Sequence, residues 1–173
     1  RSAPKLSRLA LEKRCEAWNL PQGVITHLYR AIAGGKPGVI TKIGLHTFVD
    51  PRHGGGKLNA RTTADLVDLL EIDGEEWLRY RPMRIDVALI RATTSDARGN
   101  LTTEHEPFHH EMLAIAQAAH NSGGIVIAQV KRVVDAHDDP QRVRVPGIVV
   151  DYVVEVGEDA DHHSMTFGEY LNL

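Results

Sequence analysis

Residues that could bind an anionic or carbonyl ligand flank a predicted helix and the short apolar stretch that follows it. Asn19 and Gln22-Gly23 precede an amphipathic segment, and the run Gly54-Gly55-Gly56 follows the next short apolar stretch. The Gln22 amide can donate to a carboxylate or thioester oxygen, and a helix N-terminus favours negative charge nearby. The alternative interpretation is that Gln22 caps the helix or faces water and that Asn19 only forms a turn.

The glycine run also invites comparison with a phosphate-binding loop. That loop would need Gly and Ser or Thr where the sequence has Pro51 and Leu58. Two interpretations therefore stay open: a flexible surface turn, or a loop whose backbone approaches a ligand, with Lys57 or Arg52 near its phosphate groups. The G-x-S-x-G and G-x-G-x-x-G patterns are absent from the sequence, so neither a hydrolase nucleophile elbow nor a dinucleotide fingerprint is predicted.

His105 and His109 match the H-E-x-x-H signature of zinc metalloproteases, which needs both His on one helical face. Pro107 lies between them and suits only the first turn of a helix, which would leave His105 outside it. The competing interpretation is a polar loop with His109 and His110 at the start of the next helix. The pair His162-His163 could add ligands, although adjacent His side chains seldom converge on one metal. We expect no metal site and keep a zinc-dependent hydrolase as an alternative.

Helices and strands that alternate along the chain must position these residues. The apolar stripe Val24, Ile25, Leu28 and Ile32 predicts a helix that ends at Gly34 or Gly35. Asp73-Gly74 predicts a tight hairpin turn between residues 66–72 and 76–80. The remaining predicted elements are strands at 15–18, 39–43, 86–90, 125–130 and 149–156, a polar turn at 96–100 and a helix at 108–119.

This order of elements predicts an α/β fold. The nearly continuous apolar runs at 125–130 and 149–156 suit strands covered on both faces, as in a parallel sheet between helices. Together with the hairpin, they predict an open mixed, mostly parallel sheet with flanking helices.

Composition narrows the classes of function. A chain of 173 residues, 42% hydrophobic and 25% charged, can bury a substantial core. Its net charge of -3 has no long run of one sign, so we expect neither nucleic acid nor an anionic membrane as a partner. No apolar run approaches the ~20 residues of a membrane helix, and no signal peptide is visible. The single cysteine, Cys15, fits a cytoplasmic location.

Four segments resemble the α-subunit-type domain of family I CoA-transferases, especially the acetate/propionate and 3-ketoacid CoA-transferases. They are residues 19–59, 72–82, 86–102 and 143–154, and they begin NLPQGVI, IDGEEW, DVALIR and VRVPGI. The resemblance implies the open α/β architecture of the CoA-transferase and ribose-phosphate-isomerase-like type. It also implies transfer of CoA from an acyl-CoA to a short-chain carboxylic acid, with the CoA thioester as a substrate and no cofactor.

The same resemblance implies a glutamyl-CoA thioester intermediate whose glutamate belongs to the β-type half, in a Glu-Ser-Gly or Glu-Asn-Gly context. The sequence contains neither motif. We therefore expect no catalytic residue in this chain, and we expect Glu104 and Glu106 to be solvated loop carboxylates. Asn19, Gln22, Gly23 and the run Gly54-Gly55-Gly56 are the expected contacts to substrate and CoA.

The resemblance further predicts how the chain is organised. Residues 1–157 are expected to be a partial α-type domain, and residues 158–173 an acidic tail or linker towards a β-type domain. The start at Arg1 suggests a piece of a longer protein, because the family's first strand and glycine-rich oxyanion segment are expected before it. Expected partners are a β-type half, on the same or a separate chain, and further copies in a homo-oligomer. The alternative is a non-catalytic α-type subunit.

Overall fold

The computed structural model describes residues 4–106, 108–137 and 139–156. The chain divides into two compact units, the first made of residues 1–31 and 36–83 and the second of residues 32–35 and 84–173. Pro107, the pair His162-His163 and the predicted tail at 158–173 lie outside the described residues, as does the start of the chain at residues 1–3.

The first unit holds two helices and an antiparallel sheet. Its elements are α1 (Pro4–Leu11), most of α2 (Gln22–Ala33), β1 (Val39–Thr41), β2 (Val67–Ile72), β3 (Glu75–Tyr80) and a 3-10 turn (Pro51–His53). The strand predicted at 15–18 is wrong: Trp18 makes only an isolated bridge to Lys57. Lys57 follows three glycines with positive φ, so its segment turns away before a ladder can extend.

The predicted helix and hairpin of this unit are confirmed. The sheet has the order β1-β3-β2, and β2 pairs with β3 from Val67 opposite Tyr80 to Ile72 opposite Glu75. Asp73 and Gly74 have φ values of 54° and 78°, the left-handed conformations that a two-residue type I′ turn requires. One face of α2 packs with the sheet in a core formed by Val24, Val49, Val67, Leu78 and Tyr80.

The second unit is built on a parallel sheet. Its elements are β4 (Val87–Arg91), β5 (Thr94–Asp96), β6 (Leu101–Thr102), α3 (Met112–Asn121), β7 (Ile125–Val130), β8 (Arg132–Val134), β9 (Tyr152–Glu155) and 3-10 turns at Pro140–Arg142 and Gly147–Val149. Strands β4, β7 and β9 pair in parallel in that order, which confirms the α/β class. The hairpin lies in the separate antiparallel sheet of the first unit, rather than in this parallel sheet. Helix α3 begins four residues after the predicted start at 108.

The two faces of the parallel sheet differ in exposure. One face packs against α3 in a core that includes Ala88, Ile90, Ala116, Ala119, Val126 and Ala128. The other face is apolar and exposed; we call it the apolar sheet face, and it consists of Val87, Leu89, Ile125, Tyr152 and Val154. Parallel sheets are normally covered on both faces.

A small second sheet was not predicted from the sequence. Strands β6, β5 and β8 pair in that order, β5 antiparallel to β6 and parallel to β8. Asp96 closes the turn between β5 and β6, because one of its oxygens accepts from the Arg98 and Asn100 amides at 2.9 and 2.8 Å. Within the described part of the chain, no helix has the length and apolar character that crossing a bilayer requires.

Candidate functional site

Two of the predicted site segments meet in the first unit. The amide of Asn19 donates to the carbonyl oxygen of Gly56 at 2.8 Å. Gly56 has a φ of +75°, and a Cβ there would lie 2.8 Å from the Asn19 carbonyl oxygen. Glycine at this position is therefore required by close packing of the protein's own backbone.

The other predicted contacts differ in their exposure. Gln22 and Gly23 begin α2 and are exposed, as is Gly54, whereas Gly55 and Gly56 are buried. Gln22 thus presents its amide at a helix N-terminus, where the helix dipole favours an anionic ligand. Contact between these residues and a substrate stays a prediction.

The cations beside the glycine run are held by carboxylates instead of facing a phosphate site. Arg52 donates to the buried carboxylate of Asp50 through Nε at 3.0 Å and Nη2 at 2.8 Å, and to Glu76 at 2.8 Å. The Arg52 hydrogen bonds outweigh burial and hold the pKa of Asp50 well below its usual range. Lys57 pairs with Asp65 at 2.6 Å. The interpretation that placed Lys57 or Arg52 near ligand phosphates is therefore not supported.

A cleft of about 420 Å³ opens in the second unit, and we call it the polar cleft. Its walls come from β5, from residues 102–104 and 109, and from side chains between Arg132 and His137 and between Asp139 and Arg144. Thr94 and Arg132 lie just beyond the carboxyl ends of the adjacent parallel strands β4 and β7. Open α/β sheets bind ligands outside this edge.

Glu104 organises the floor of this cleft. Its Oε1 accepts from Thr94 Oγ1 at 2.5 Å and from Arg132 Nη2 at 3.0 Å. Burial raises the pKa of Glu104, but hydrogen bonds from Thr102 and Thr94 and the charge of Arg132 outweigh it and lower that pKa to about 2. The carboxylate is therefore ionised and neutralised locally at every ordinary pH.

The expectation of solvated carboxylates at positions 104 and 106 is wrong. The Glu104 side chain is only 25% exposed and is ion-paired. The Glu106 side chain is 8% exposed, and its Oε1 lies 3.3 Å from Arg91 Nε. Both glutamates were misassigned because their cationic partners lie far away in sequence, on β8 and at the end of β4.

The zinc signature does not form a helical site. His105 lies in a turn, and α3 begins only at Met112, so His109 precedes that helix. His109 Nδ1 is 2.7 Å from Thr103 Oγ1. Within residues 4–106, 108–137 and 139–156, no three His, Cys, Asp or Glu side chains converge as a metal site requires.

The polar cleft was not predicted from the sequence. Its one signal was the dense polar stretch from Thr93 to Asp96, directly after an apolar strand. That stretch lacks apolar alternation, so no strand was predicted there and Asp96 was assigned to a turn at 96–100, although all four residues are buried. Strand pairing of β5 with β6 and β8 gives the backbone groups of these residues hydrogen-bond partners, so they can be buried.

Comparison with known proteins gives one family. Residues 2–156 match the family described as Coenzyme A transferase. A caffeate CoA-transferase of Acetobacterium woodii is 49% identical over 170 residues, covering 98% of this chain and 32% of that enzyme. The chain thus spans about a third of that relative's length. The alpha subunit of an acetate CoA-transferase of Escherichia coli (strain K12) is 30% identical over 152 residues, covering 87% of this chain and 60% of that subunit.

A solved structure agrees with this match. The acyl-CoA transferase YdiF of Escherichia coli O157:H7, in its thioester complex with CoA, superposes with a TM-score of 0.86 at 48% identity. The alignment covers 88% of this chain and 32% of that one. The α/β architecture of the two units is therefore also found in a related protein.

Proposed function

Because the chain belongs to the coenzyme A transferase family, we propose that the whole protein transfers CoA from an acyl-CoA to a short-chain carboxylic acid. The observation that carries this proposal is the 49% identity, over 98% of the chain, with an enzyme named as a CoA-transferase. The reaction as proposed needs no cofactor, since CoA enters and leaves as a thioester.

The proposed mechanism uses a glutamate outside this chain as the nucleophile. Its carboxylate attacks the acyl-CoA carbonyl, so that CoA leaves as a thiolate and an acyl-glutamyl anhydride forms. The thiolate then attacks the glutamyl carbonyl, which releases the free acid and leaves a glutamyl-CoA thioester. The acceptor carboxylate repeats these two steps in reverse, and the glutamate is regenerated. The absence of Glu-Ser-Gly and Glu-Asn-Gly from the sequence supports a nucleophile elsewhere.

In this mechanism the chain supplies part of the pocket wall. Each tetrahedral intermediate carries an oxyanion, which donors fixed in advance can stabilise. We assign a donor role to the exposed Gln22 amide and the N-terminus of α2, where the dipole favours developing negative charge. Asn19 and the Gly54-Gly55-Gly56 run would complete that wall.

A β-type half is the proposed partner of the chain. The apolar sheet face supports this, because Leu89 on its edge strand β4 is 75% exposed and a parallel sheet is normally covered on both faces. The chain spans about a third of the length of the caffeate enzyme, so the rest of such a protein is large enough to cover this face. The alternative is a non-catalytic α-type subunit that pairs with a separate chain, as the acetate CoA-transferase alpha subunit suggests.

A CoA-transfer assay tests this proposal. The whole protein should convert acetyl-CoA and a second short-chain acid to the new acyl-CoA, whereas the 173-residue chain alone should give no turnover. Native mass spectrometry of the active species then distinguishes one polypeptide from two subunits and measures any homo-oligomer. Substantial turnover by the chain alone would contradict the proposed division of the site. The cytoplasmic location stays a prediction.

A further inference from the structure

We propose that the polar cleft is an anion subsite that binds the phosphate groups of the CoA substrate through Arg142 and Arg144. This inference rests on the proposed function for the identity of the ligand. The residues that line the cleft do not include Asn19, Gln22 or Gly56. Its volume of about 420 Å³ lies within the ~300–1,000 Å³ range of small-molecule sites.

Arg144 is fixed in place at the cleft wall. Its backbone amide donates to the Leu101 carbonyl oxygen at 2.8 Å. Leu101 directly precedes Thr102 and Thr103, which also line the cleft. Arg142 ends the 3-10 turn Pro140–Arg142, where the Asp139 carboxylate accepts from the Gln141 amide and the Asp139 carbonyl oxygen accepts from the Arg142 amide at 3.1 Å. Both arginines therefore line the same cleft from an anchored backbone.

The charges that face the cleft leave the two arginines available. Arg132 and Glu104 neutralise each other. The Asp139 carboxylate accepts from the Gln141 amide at 2.9 Å. Neither Arg142 nor Arg144 forms an ion pair with any residue that the structure describes, and both are exposed. Among the described residues that line the cleft, the arginines Arg132, Arg142 and Arg144 outnumber the carboxylates Glu104 and Asp139.

The chemistry of the walls suits phosphate groups. Guanidinium forks bind phosphate oxygens in bidentate fashion, more strongly than neutral donors do. Thr102 and Thr103 bring hydroxyl groups to the same cleft. His137 is held beside them, its Nε2 donating to the Asn100 carbonyl oxygen at 2.7 Å.

The test compares two thioesters on the whole protein. Acetyl-CoA carries the phosphate groups, and acetyl-pantetheine lacks them. The double variant Arg142→Ala/Arg144→Ala should raise KM for acetyl-CoA about tenfold or more, the scale of losing one or two charge-assisted hydrogen bonds. Its kcat/KM for acetyl-pantetheine should equal that of the wild type. The double variant Arg142→Lys/Arg144→Lys keeps both positive charges but loses the guanidinium forks. Its KM for acetyl-CoA should lie between those of the wild type and the double alanine variant.

Arg84→Ala is the matched control, since Arg84 is an exposed arginine of the same unit, paired with Asp86 outside the cleft. Calorimetry with adenosine 3′,5′-bisphosphate supplies a readout without turnover: binding to the wild type and not to the double alanine variant supports the subsite. Inorganic phosphate in a parallel titration should bind much more weakly than the bisphosphate. Equal affinity for the two would show that the cleft binds free phosphate and would overturn CoA as its ligand.

Two results would overturn the subsite: an unchanged KM for acetyl-CoA in the double alanine variant, or an equal loss of activity with acetyl-pantetheine. If the wild type transfers neither CoA from acetyl-CoA nor pantetheine from acetyl-pantetheine, the proposed function fails instead. The bisphosphate titration still decides the subsite in that case.

Discussion

The guanidinium Nη2 of Arg132 donates to Oε1 of Glu104 at 3.0 Å, joining strand β8 to the turn after β6. The two residues are 28 positions apart in sequence. Their ion pair, with the Thr94 hydroxyl at 2.5 Å, holds three segments together under the polar cleft. A carboxylate held in this way contributes to stability only while it is ionised.

Glu104→Gln should therefore destabilise the protein by about 1–3 kcal/mol at pH 7, the range for losing charge-assisted hydrogen bonds. The pKa of Glu104 is about 2 in the folded protein against an ordinary 4.5, so the unfolded state takes up its proton first as the pH falls. The stabilisation is full above the unfolded pKa and is lost between about pH 5 and pH 2.

Urea denaturation across this range measures the effect. The difference in unfolding free energy between wild type and Glu104→Gln should shrink steadily as the pH is lowered. A difference that stays constant from pH 7 to pH 3 would refute the assignment of the ionised pair.

Gly56→Ala should destabilise the first unit more than Gly55→Ala. Both glycines have positive φ, +75° and +63°, so both variants carry the strain of a left-handed alanine, about 1–2 kcal/mol. An added Cβ meets the Asn19 carbonyl oxygen at 2.8 Å at position 56, but nothing nearer than 4.0 Å at position 55. Chemical denaturation measures the free energy of unfolding of both variants, and the difference between them reports the clash with the Asn19 carbonyl oxygen. Equal losses of unfolding free energy would show that the contact between Asn19 and Gly56 is not tight.

Helix α2 and the Asp73-Gly74 hairpin, compared with strand β5, show what local sequence patterns can and cannot predict. The α2 helix and the Asp73-Gly74 hairpin follow from spacing and turn chemistry within a few residues, and both were predicted. Strand β5 could not be, because Thr94, Ser95 and Asp96 are polar yet buried. Their burial depends on pairing with β8, far along the chain. The same long-range pairing explains why Glu104 was taken for a solvated carboxylate.

Gln22→Ala in the whole protein should lower kcat/KM for CoA transfer about tenfold or more, the scale for removing one oxyanion donor. The thermal midpoint should not change, since Gln22 is exposed. His27→Ala, at another exposed position of the same helix, is the control and should keep full activity. Unaltered kcat/KM in Gln22→Ala would remove Gln22 from the site.

Leu89→Lys should weaken the association of this chain with the rest of the enzyme. Leu89 is 75% exposed, so the second unit alone should tolerate the charge within about 0.5 kcal/mol. A Lys buried against an apolar partner would lack a counter-charge and lower the thermal midpoint of the whole protein. Ile148→Lys, outside the parallel sheet and 84% exposed, is the comparison. The same midpoint in wild type and Leu89→Lys would mean that the apolar sheet face stays uncovered.

The most direct test of the account is to find the glutamate that carries CoA. The whole protein is incubated with acetyl-CoA and then with hydroxylamine, which converts a glutamyl thioester to a hydroxamate, and the modified peptide is identified by mass spectrometry. We predict a single modified glutamate outside these 173 residues, in a Glu-Ser-Gly or Glu-Asn-Gly context. A hydroxamate at Glu104, or at any other glutamate of this chain, would contradict the account.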